Sequence, residues 1–539
     1  MRRPTLSSEW LILATALYLV LVANASFLRH LHTALGGVDF ALQASAFAAV
    51  LVGLIGALLA LATPSRFARG VLGLVVVIAA ALAFFMDHYG AVIDRHALQS
   101  ALETDARESG EWLSFAMLRG VLVLSVPALL ALAFVRTRVR SWPQALQARG
   151  ALLAVCALLV AVPVALDYRT MASVARNHAE LRDLANPINL VNATRSYLKH
   201  ARVAPMGPPT VVAGDVQRGE TWPAAGKRPL VLVFVVGESV RASSLGLLGY
   251  ARDTTPELAR RGVVAFGEVH ACGTNTATSV PCMFSGLGQA GYDEATARGR
   301  ENLLDVLERA RFDVLWIDNN TGSKHVADRV VEIDVAAATR PRVCNAQGCF
   351  DHVLVSELEE RLAKIERDTV LLLHQKGSHG PAYFERYPEA YRRFVPDCRS
   401  NELQSCTREQ LVNSYDNTIL YTDRELAEMI DALAAARERV DGVFLYVSDH
   451  GESTGEHGYY LHGAPALIAP EEQTRVPMLL WMAPEYLARR QLDATCVAAQ
   501  RGRQTSHDAV FPLVLGLLDL HTMAYQQNLD PIAACAPRP

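Results

Sequence analysis

The chain has 539 residues, 51% of them hydrophobic, and a formal net charge of −4 at pH 7. This length predicts two or more domains, and the balanced charge gives no sign of a nucleic-acid-binding protein. The apolar residues are unevenly placed, because long apolar runs occupy the chain up to Leu166 and the remainder has the mixed pattern of a soluble domain.

Five apolar stretches are long enough to cross a bilayer, which takes about 20 helical residues. They are 10–27, 40–62, 71–86, 115–135 and 151–166. The fourth contains Arg119 near its start, where a long side chain can reach the membrane interface. The first lacks the small-residue cleavage site of a signal peptide and is followed by four more spans, so we interpret it as retained. Residues 1–167 are therefore predicted to form a five-helix transmembrane domain.

Basic residues in the short loops predict the orientation. They lie before the first stretch, between the second and third, and between the fourth and fifth: Arg2, Arg3, Arg66, Arg69, Arg136, Arg138, Arg140 and Arg149. These segments alternate with less basic ones. The amino terminus is therefore expected in the cytoplasm, and everything after Asp167 outside it.

The cysteines also indicate that the chain after Asp167 lies outside the cytoplasm. One, Cys156, lies in the fifth stretch, and the other eight follow it. An even number in the exported part suits an oxidising environment. Eight cysteines allow 105 pairings, but three close pairs stand out and leave a fourth by remainder: Cys272–Cys282, Cys344–Cys349, Cys398–Cys406 and Cys496–Cys535.

Residues 168–227 are predicted to bridge the two domains, either at the membrane surface or as a solvated linker, and 228–539 to form an α/β domain. Short apolar runs at 229–236, 312–318, 369–375, 443–449 and 476–482 alternate with helical patterns at 301–311, 353–367 and 414–436. Continuous apolar strands separated by helices indicate a mainly parallel sheet with helices on both faces. Ligands bind at the carboxyl ends of such strands.

The residues that follow the strands form a consistent set. They are Glu238 after the first, Asn319 and Lys324 after the second, His379 after the third, and Asp449, His450 and Glu452 after the fourth, with His457 and His462 shortly beyond. Each alone is weak evidence. Together they predict one site at one edge of one sheet.

Carboxylates and imidazoles suit Zn²⁺, which takes four ligands. Glu238, Asp449 and His450 supply three. The segment CGTNTATSVPC (272–282) can supply a hydroxyl as the fourth, and a metal makes such a proton easier to lose, as it does for bound water. The residues that follow Thr276 in this segment can begin a helix, and the backbone N–H groups at a helix start would point at an anion bound there. Spacing does not separate Thr276 from Thr274 or Thr278.

The set GES, CGTNTATSVPCMFS, NNTGSK, GSHGP, DHGES and YLHG resembles the phosphoethanolamine transferases of Gram-negative bacteria. These include the lipid A modifying and mobile colistin (polymyxin) resistance enzymes of the alkaline phosphatase–sulfatase superfamily. The resemblance covers nearly the whole chain. It implies an enzyme of the bacterial inner membrane with a periplasmic catalytic domain.

The resemblance also implies roles for individual residues. Thr276 would be the nucleophile and, with Glu238, Asp449 and His450, a zinc ligand. Lys324, His379 and His462 match positions that contact the phosphate, bind a second zinc or transfer protons. The three close cysteine pairs match family disulfides. His457 stands where family members often have another residue, and its role stays open.

The implied reaction moves phosphoethanolamine from phosphatidylethanolamine to a lipid A phosphate through a phospho-threonine, with one zinc ion expected and room for a second. A lipopolysaccharide core sugar or a periplasmic glycan remains open as the acceptor. A related membrane-anchored phosphotransferase of the sulfatase family, such as a glycerophosphate transferase, also remains open. A sulfatase itself would need a CxPxR-type cysteine or serine, which is absent around Thr276. A non-catalytic lipid sensor would have lost at least one metal ligand, and all four are present.

Overall fold

The computed structural model describes residues 3–35, 40–104, 106–138, 140–178, 180–201, 207–222, 228–335, 343–345, 348–466 and 468–536. The chain forms two compact units. One comprises Met1–Gln99 with Leu113–Leu198, and the other comprises Ser100–Trp112 with Lys199–Pro539.

The first unit is helical. The α-helices of this part of the chain are α1 Ser8–Val22, α2 Ala25–Leu35, α3 Phe40–Ala62, α4 Ala68–Tyr89, α5 Arg95–Glu103, α6 Ala106–Trp112, α7 Phe115–Phe134, α8 Trp142–Leu166, α9 Tyr168–Asn177, α10 Glu180–Leu184 and α11 Ile188–Ala201. Helix α6 belongs to the second unit, and α5 and α11 begin in the first unit and end in the second. Within the described residues, four helices are long and apolar enough to cross a membrane, and a fifth span results if the bent pair α1–α2 counts as one. The expected five spans agree with the upper of these two counts.

The first span differs from the prediction of one continuous stretch over 10–27. Helix α1 ends at Val22, and α2 leaves it at an angle of 62°. At the break, the buried amide of Asn24 donates to the carbonyl oxygens of Leu19 and Asn186, and its Oδ1 accepts from the Asn186 N–H, each at 2.9 Å. A buried amide must be hydrogen-bonded, and these bonds fix the chain where the helix stops.

The fifth span is longer than predicted, since α8 begins at Trp142 rather than at residue 151. Arg149, which we expected in a loop, therefore lies within the helix. Its guanidinium donates to the carbonyl oxygen of Ala60 at 2.8 Å and to Ser65 Oγ at 3.1 Å. These bonds compensate a charge that an apolar helix would otherwise exclude.

The second unit is built on an eight-stranded sheet: β1 Leu230–Gly237, β2 Val264–His270, β3 Asp313–Asp318, β4 Val331–Asp334, β5 Thr369–His374, β6 Asp441–Ser448, β7 Arg475–Met482 and β8 Thr505–Ser506. The strand order is β8–β2–β7–β6–β1–β5–β3–β4. Only β7 runs antiparallel to its neighbours within this sheet. The sheet is mainly parallel, as predicted.

Helices cover the sheet. They are α12 Pro256–Ala259, α13 Thr276–Ser285, α14 Glu294–Arg298, α15 Leu303–Arg309, α16 His352–Leu362, α17 Arg408–Ala435, α18 Glu471–Thr474, α19 Pro484–Arg490, α20 Ala494–Ala499 and α21 Val510–Leu517. On one face, Leu232 and Phe234 of β1 join a core with Phe284 of α13. The alternate strand residues point to the other face, where α17 packs on β6 and α16.

Short two-residue strands pair outside this sheet: Thr5–Leu6 with Arg136–Thr137, Gln217–Arg218 with Leu520–His521, Cys344–Asn345 with Gly348–Cys349, and Ser453–Thr454 with Tyr460–Leu461. The predicted helices 301–311, 353–367 and 414–436 correspond to α15, α16 and α17, each with shifted ends.

The register aligns the carboxyl ends of the central strands. Gly237 of β1 is level with Ser448 of β6, and His374 of β5 is level with Asp318 of β3. The next residue along each strand therefore lies at the same edge. The loop that follows β2 reaches this edge as well, because β2 runs in the same direction as β6.

Candidate active site

Thr276 is placed by a strand, a disulfide and a helix start. Strand β2 ends at His270, the Cys272–Cys282 disulfide closes the following loop, and α13 begins at Thr276 itself. Asn275 caps the helix, since its Oδ1 accepts from the Thr278 N–H at 2.9 Å. Such a cap stabilises a helix start by about 1 kcal/mol, so the threonine sits on a fixed first turn.

Oxygen and nitrogen atoms of four side chains converge there. Thr276 Oγ1 lies 3.0 Å from Glu238 Oε2 and 3.3 Å from His450 Nε2. The same Nε2 lies 3.3 Å from Glu238 Oε1 and from Asp449 Oδ2. Glu238, Asp449 and His450 are fully buried. Among the three hydroxyls that spacing left open, Thr274 instead donates to the carbonyl oxygen of Ala464.

The neighbours of these side chains fix their orientation. His450 Nδ1 lies 2.9 Å from the carbonyl oxygen of Gly451, so Nδ1 carries the proton and Nε2 offers a lone pair to the cluster. Glu238 accepts from Ser239 Oγ at 2.7 Å and from Asn320 Nδ2 at 2.9 Å. Ser239 adopts a left-handed backbone, with φ of 59°, which is the kind of strain that clusters at functional sites.

Glu238 and Asp449 are two buried carboxylates that repel each other. Burial raises the pKa of Asp449 to about 7, with repulsion from Glu238 as the next cause. Burial also acts to raise the pKa of Glu238, but the imidazoles of His450, His379 and His462, in their protonated forms, outweigh it and hold that pKa below its ordinary value. A cation between the two carboxylates would remove their repulsion.

The donor set fits a zinc ion. Two carboxylates, one imidazole nitrogen and a hydroxyl meet there, and three of them (Glu238, Asp449 and His450) offer ligand atoms within 4.8 Å of one another. Asp449 Oδ2 is buried and makes no hydrogen bond to any described residue. A buried carboxylate oxygen in that state calls for a cation.

A second group of possible ligands adjoins the first. His450, Glu452 and His462 offer ligand atoms within the same distance limit, and the rings of His379 and His462 are centred 5.0 Å apart. Glu452 is fully buried, accepts from Tyr383 Oη at 2.6 Å and lies 2.8 Å from His462 Nδ1. The histidines that the family resemblance singled out therefore lie side by side next to the threonine cluster.

Three other residues from the sequence analysis are not part of the two ligand groups just described. The Lys324 ammonium, among described residues, contacts the carbonyl oxygen of Thr321 at 3.0 Å and Glu103 at 3.7 Å. Asn319 is turned away and donates to Asp351 and to the carbonyl oxygen of Cys349. His457 is exposed on a turn, with φ of 53°, and belongs to none of the ligand clusters of the described residues.

All four cysteine pairs suggested by the sequence are disulfides: Cys272–Cys282, Cys344–Cys349, Cys398–Cys406 and Cys496–Cys535. Cys156 is free and buried.

Sequence reasoning missed several supporting residues. The sequence analysis selected Asn319 rather than its neighbour Asn320, because the sequence alone does not distinguish two adjacent asparagines. His374 ends β5 and lies 2.7 Å from Asp318 Oδ1 and 3.3 Å from Asn320 Nδ2. Its position at a strand end was an available signal. His507 follows β8, a strand of two residues that no pattern marks.

Comparison with known proteins assigns the chain to a family. Residues 51–202 match the family described as phosphoethanolamine transferase EptA/EptB, and residues 231–520 match the sulfatase family. The chain is 37% identical to phosphoethanolamine transferase EptA of Escherichia coli strain K12, covering 99% of this chain and 98% of that protein. It is 36% identical to phosphatidylethanolamine transferase Mcr-1 of Escherichia coli, with 96% of each covered.

The structure agrees with these matches. It superposes on the integral membrane protein lipooligosaccharide phosphoethanolamine transferase A (EptA) from Neisseria meningitidis with a TM-score of 0.93 and 36% identity, covering 99% of this chain and 100% of that one. Both halves of the chain thus find their counterparts in one integral membrane protein. The protein belongs to the phosphoethanolamine transferase family.

Proposed function

We propose that the protein transfers phosphoethanolamine from phosphatidylethanolamine to a phosphate of lipid A, with Thr276 as the covalent carrier. The observation that carries this proposal is the convergence of Thr276 Oγ1, Glu238, Asp449 and His450 at the sheet edge, within 3.0–3.3 Å contacts. One relative is named for an acceptor that contains lipid A: a Salmonella typhimurium protein, 35% identical over 48% of this chain, is a Kdo(2)-lipid A phosphoethanolamine 7″-transferase. This name supports an acceptor of the lipid A type.

Zn²⁺ held by Thr276, Glu238, Asp449 and His450 would supply Lewis acidity, which favours the deprotonated threonine and offsets charge on the phosphoryl oxygens. Thr276 Oγ1 gives its proton to Glu238 Oε2, to which it is hydrogen-bonded, and attacks the phosphorus of phosphatidylethanolamine in line. The new Oγ–P bond forms as the bond from phosphorus to the diacylglycerol oxygen breaks. The product is phosphoethanolamine-Thr276, which divides one hard displacement into two easier ones.

The neighbouring histidines handle the protons. His462 donates from Nδ1 to Glu452, which leaves its Nε2 to exchange a proton with the leaving or attacking oxygen. His379 lies beside it and shares this role or helps to hold a second zinc ion. In the second half-reaction, a lipid A phosphate hydroxyl gives its proton to His462 and its oxygen attacks the phosphorus. The Oγ–P bond breaks, and Thr276 Oγ1 takes its proton back from Glu238. Lys324 is the cation proposed to contact the transferred phosphate.

Location follows from the substrates. Donor and acceptor are both lipids, and the apolar helices of the first unit would keep the enzyme at the bilayer where they reside. We place it in the bacterial inner membrane with the amino terminus in the cytoplasm and the catalytic unit in the periplasm. The basic loops and the four disulfides of the exported part support this orientation.

The test is mass spectrometry of lipid A from a Gram-negative host that expresses the full chain, beside Thr276→Ala and Thr278→Ala variants. We expect a phosphoethanolamine-sized mass increase with the unmodified chain and Thr278→Ala. Thr276→Ala should reduce it by at least about 10³-fold, as expected when a covalent nucleophile is lost. Phosphoethanolamine on core sugars with unmodified lipid A would overturn the acceptor, and an active Thr276→Ala variant would overturn the nucleophile.

A further inference from the structure

His507 lies behind the site, out of reach of any substrate. It is 1% exposed and follows β8, whose Ser506 is level with His270 at the end of β2. It therefore stands at the same sheet edge as the Thr276 loop. None of the roles assigned above uses it.

Its two ring nitrogens hold two different segments. Nδ1 accepts from the backbone N–H of Cys272 at 3.2 Å, and Nε2 lies 2.9 Å from the carbonyl oxygen of Ser448. An N–H donor facing Nδ1 requires a lone pair there, and a carbonyl facing Nε2 requires a proton there. The contacts thus define one neutral tautomer, protonated on Nε2.

A third contact ties these segments to one another. Ser279, one turn after Thr276 in α13, donates from Oγ to the carbonyl oxygen of Asp449 and lies 3.2 Å from His507 Nδ1. The imidazole therefore touches the start of the disulfide loop, the helix that carries the nucleophile, and the strand end that precedes Asp449 and His450. Three of the four residues of the site, Thr276, Asp449 and His450, depend on these backbone segments.

We propose that His507 is a positioning residue that holds the Thr276 helix in register with the Asp449–His450 turn. The inference rests on the proposed function, in which Thr276, Asp449 and His450 act as one zinc-centred unit. A shift of one segment against the other would separate the threonine oxygen from the ligands, and supporting groups of this kind typically change metal affinity or activity by about 10–100-fold.

Three variants of the full chain in detergent separate the two hydrogen bonds of His507, because each variant lacks a different one or both. His507→Asn can keep an acceptor for the Cys272 N–H, His507→Gln can keep a donor to the Ser448 carbonyl, and His507→Phe loses both while filling the ring volume. The matched control is Tyr486→Phe, which removes one buried hydrogen bond, from Tyr486 Oη to the Leu517 carbonyl at 2.7 Å, away from the site.

The measurements are kcat and KM with a fluorescent phosphatidylethanolamine, zinc retention against a chelator, and amide hydrogen exchange by mass spectrometry. We expect His507→Phe to lower kcat by about 10–100-fold with a smaller change in KM. Exchange should become faster in peptides covering 271–285 and 446–452. The Asn and Gln variants should each lose less, and each should loosen mainly the segment whose contact it lacks.

The proposal is overturned if His507→Phe and Tyr486→Phe lose similar thermal stability while kcat, zinc retention and exchange at both segments stay at the unmodified level. Should His507→Phe fail to fold, the Asn and Gln variants carry the same comparison. A failure of the proposed function is seen separately, because Thr276→Ala would then retain activity whatever the His507 variants do.

Discussion

Both carboxylate oxygens of Glu238 accept hydrogen bonds from neighbouring side chains. Ser239 Oγ donates to Oε1, while Asn320 Nδ2 donates to Oε2, the same oxygen that receives the Thr276 hydroxyl. Asn320 in turn contacts His374, which is held by Asp318. Gly377, with φ of 52°, passes so close that an added Cβ would lie 2.5 Å from the Glu238 carbonyl oxygen. The carboxylate is therefore oriented from several sides.

Asn320→Ala should weaken zinc binding by about 10–100-fold, because the carboxylate loses the amide that orients Oε2. The measurement is zinc affinity of the full chain by chelator competition. Asn413→Ala is the control, since Asn413 is a buried asparagine, while Asn320 is half-buried, and its side chain bonds Arg252 and the Pro396 carbonyl instead. Equal zinc affinity of both variants and the unmodified chain would contradict an orienting role for Asn320.

How far the site could be predicted depends on the kind of residue. Glu238, Asp449 and His450 directly follow apolar runs, so period and register place them at the edge without a structure. Thr276 shares its loop with other hydroxyls, and the residues alone do not select it; helix α13 does, by starting there. Asn319 and Asn320 show the limit, because a one-residue change in the turn decides which amide reaches Glu238.

Among the elements, α16 and α17 are joined by a charged contact. His352 at the start of α16 lies 3.1 Å from Glu425 and 3.2 Å from Glu428 of α17. The hydrogen bond to Glu425 is the largest cause of a raised pKa at His352, and burial opposes it. Glu425 is nearly inaccessible, while Glu428 is also paired with Arg424. The helix pair is thus held in part by a histidine whose pKa lies above its ordinary value.

The sign of this effect can be tested. Because the pKa of His352 is raised on folding, its stabilisation is fully present below the ordinary value of about 6.5 and is lost as the pH rises through the raised value. His352→Gln should therefore lower the melting temperature most at pH 6, with the difference shrinking toward pH 9. The measurement is thermal unfolding of the full chain in detergent at several pH values.

His325→Gln serves as the control for this experiment, since His325 also faces a carboxylate, Asp328, at 3.1 Å, but both side chains are about half exposed. Exposed pairs of this kind contribute little, so we expect no pH-dependent difference. A melting-temperature difference for His352→Gln that stays constant from pH 6 to pH 9 would show that packing, rather than charge, accounts for the contact.

Element prediction succeeded where an apolar pattern was long and failed where tertiary contacts decide the ends. The stretch 40–62 became α3 with the same bounds, whereas 10–27 was broken at Asn24 by hydrogen bonds to a residue far along the chain. Strand β2 was not predicted. It is a short run that contains Gly267 and Glu268, and its buried and exposed positions do not alternate regularly. That strand delivers the Thr276 loop, so the omission concealed why the loop reaches the edge.

At the scale of the whole molecule, the basic loops of the first unit should all lie on one side of the membrane. A reporter phosphatase that is active only outside the cytoplasm can be fused to the chain after Leu113 or after Ala201. Both fusions should give active phosphatase. Fusion after Ser141, beside the basic segment Arg136–Arg140, should give inactive protein. Cell-based reporter activity measures this. The opposite pattern would reverse the orientation and remove the oxidising compartment that the disulfides need.

The segment Ser100–Trp112 belongs to the catalytic unit although it lies between two apolar helices in the sequence. It brings Glu103 near Lys324 and joins Glu111 to Arg386, and the Glu111 carbonyl oxygen accepts from Asn401 at 2.6 Å. A periplasmic fragment that begins after the last span would leave both cations without these acidic neighbours. Inhibitor screens against such a fragment would therefore favour anionic compounds that the intact enzyme binds less well.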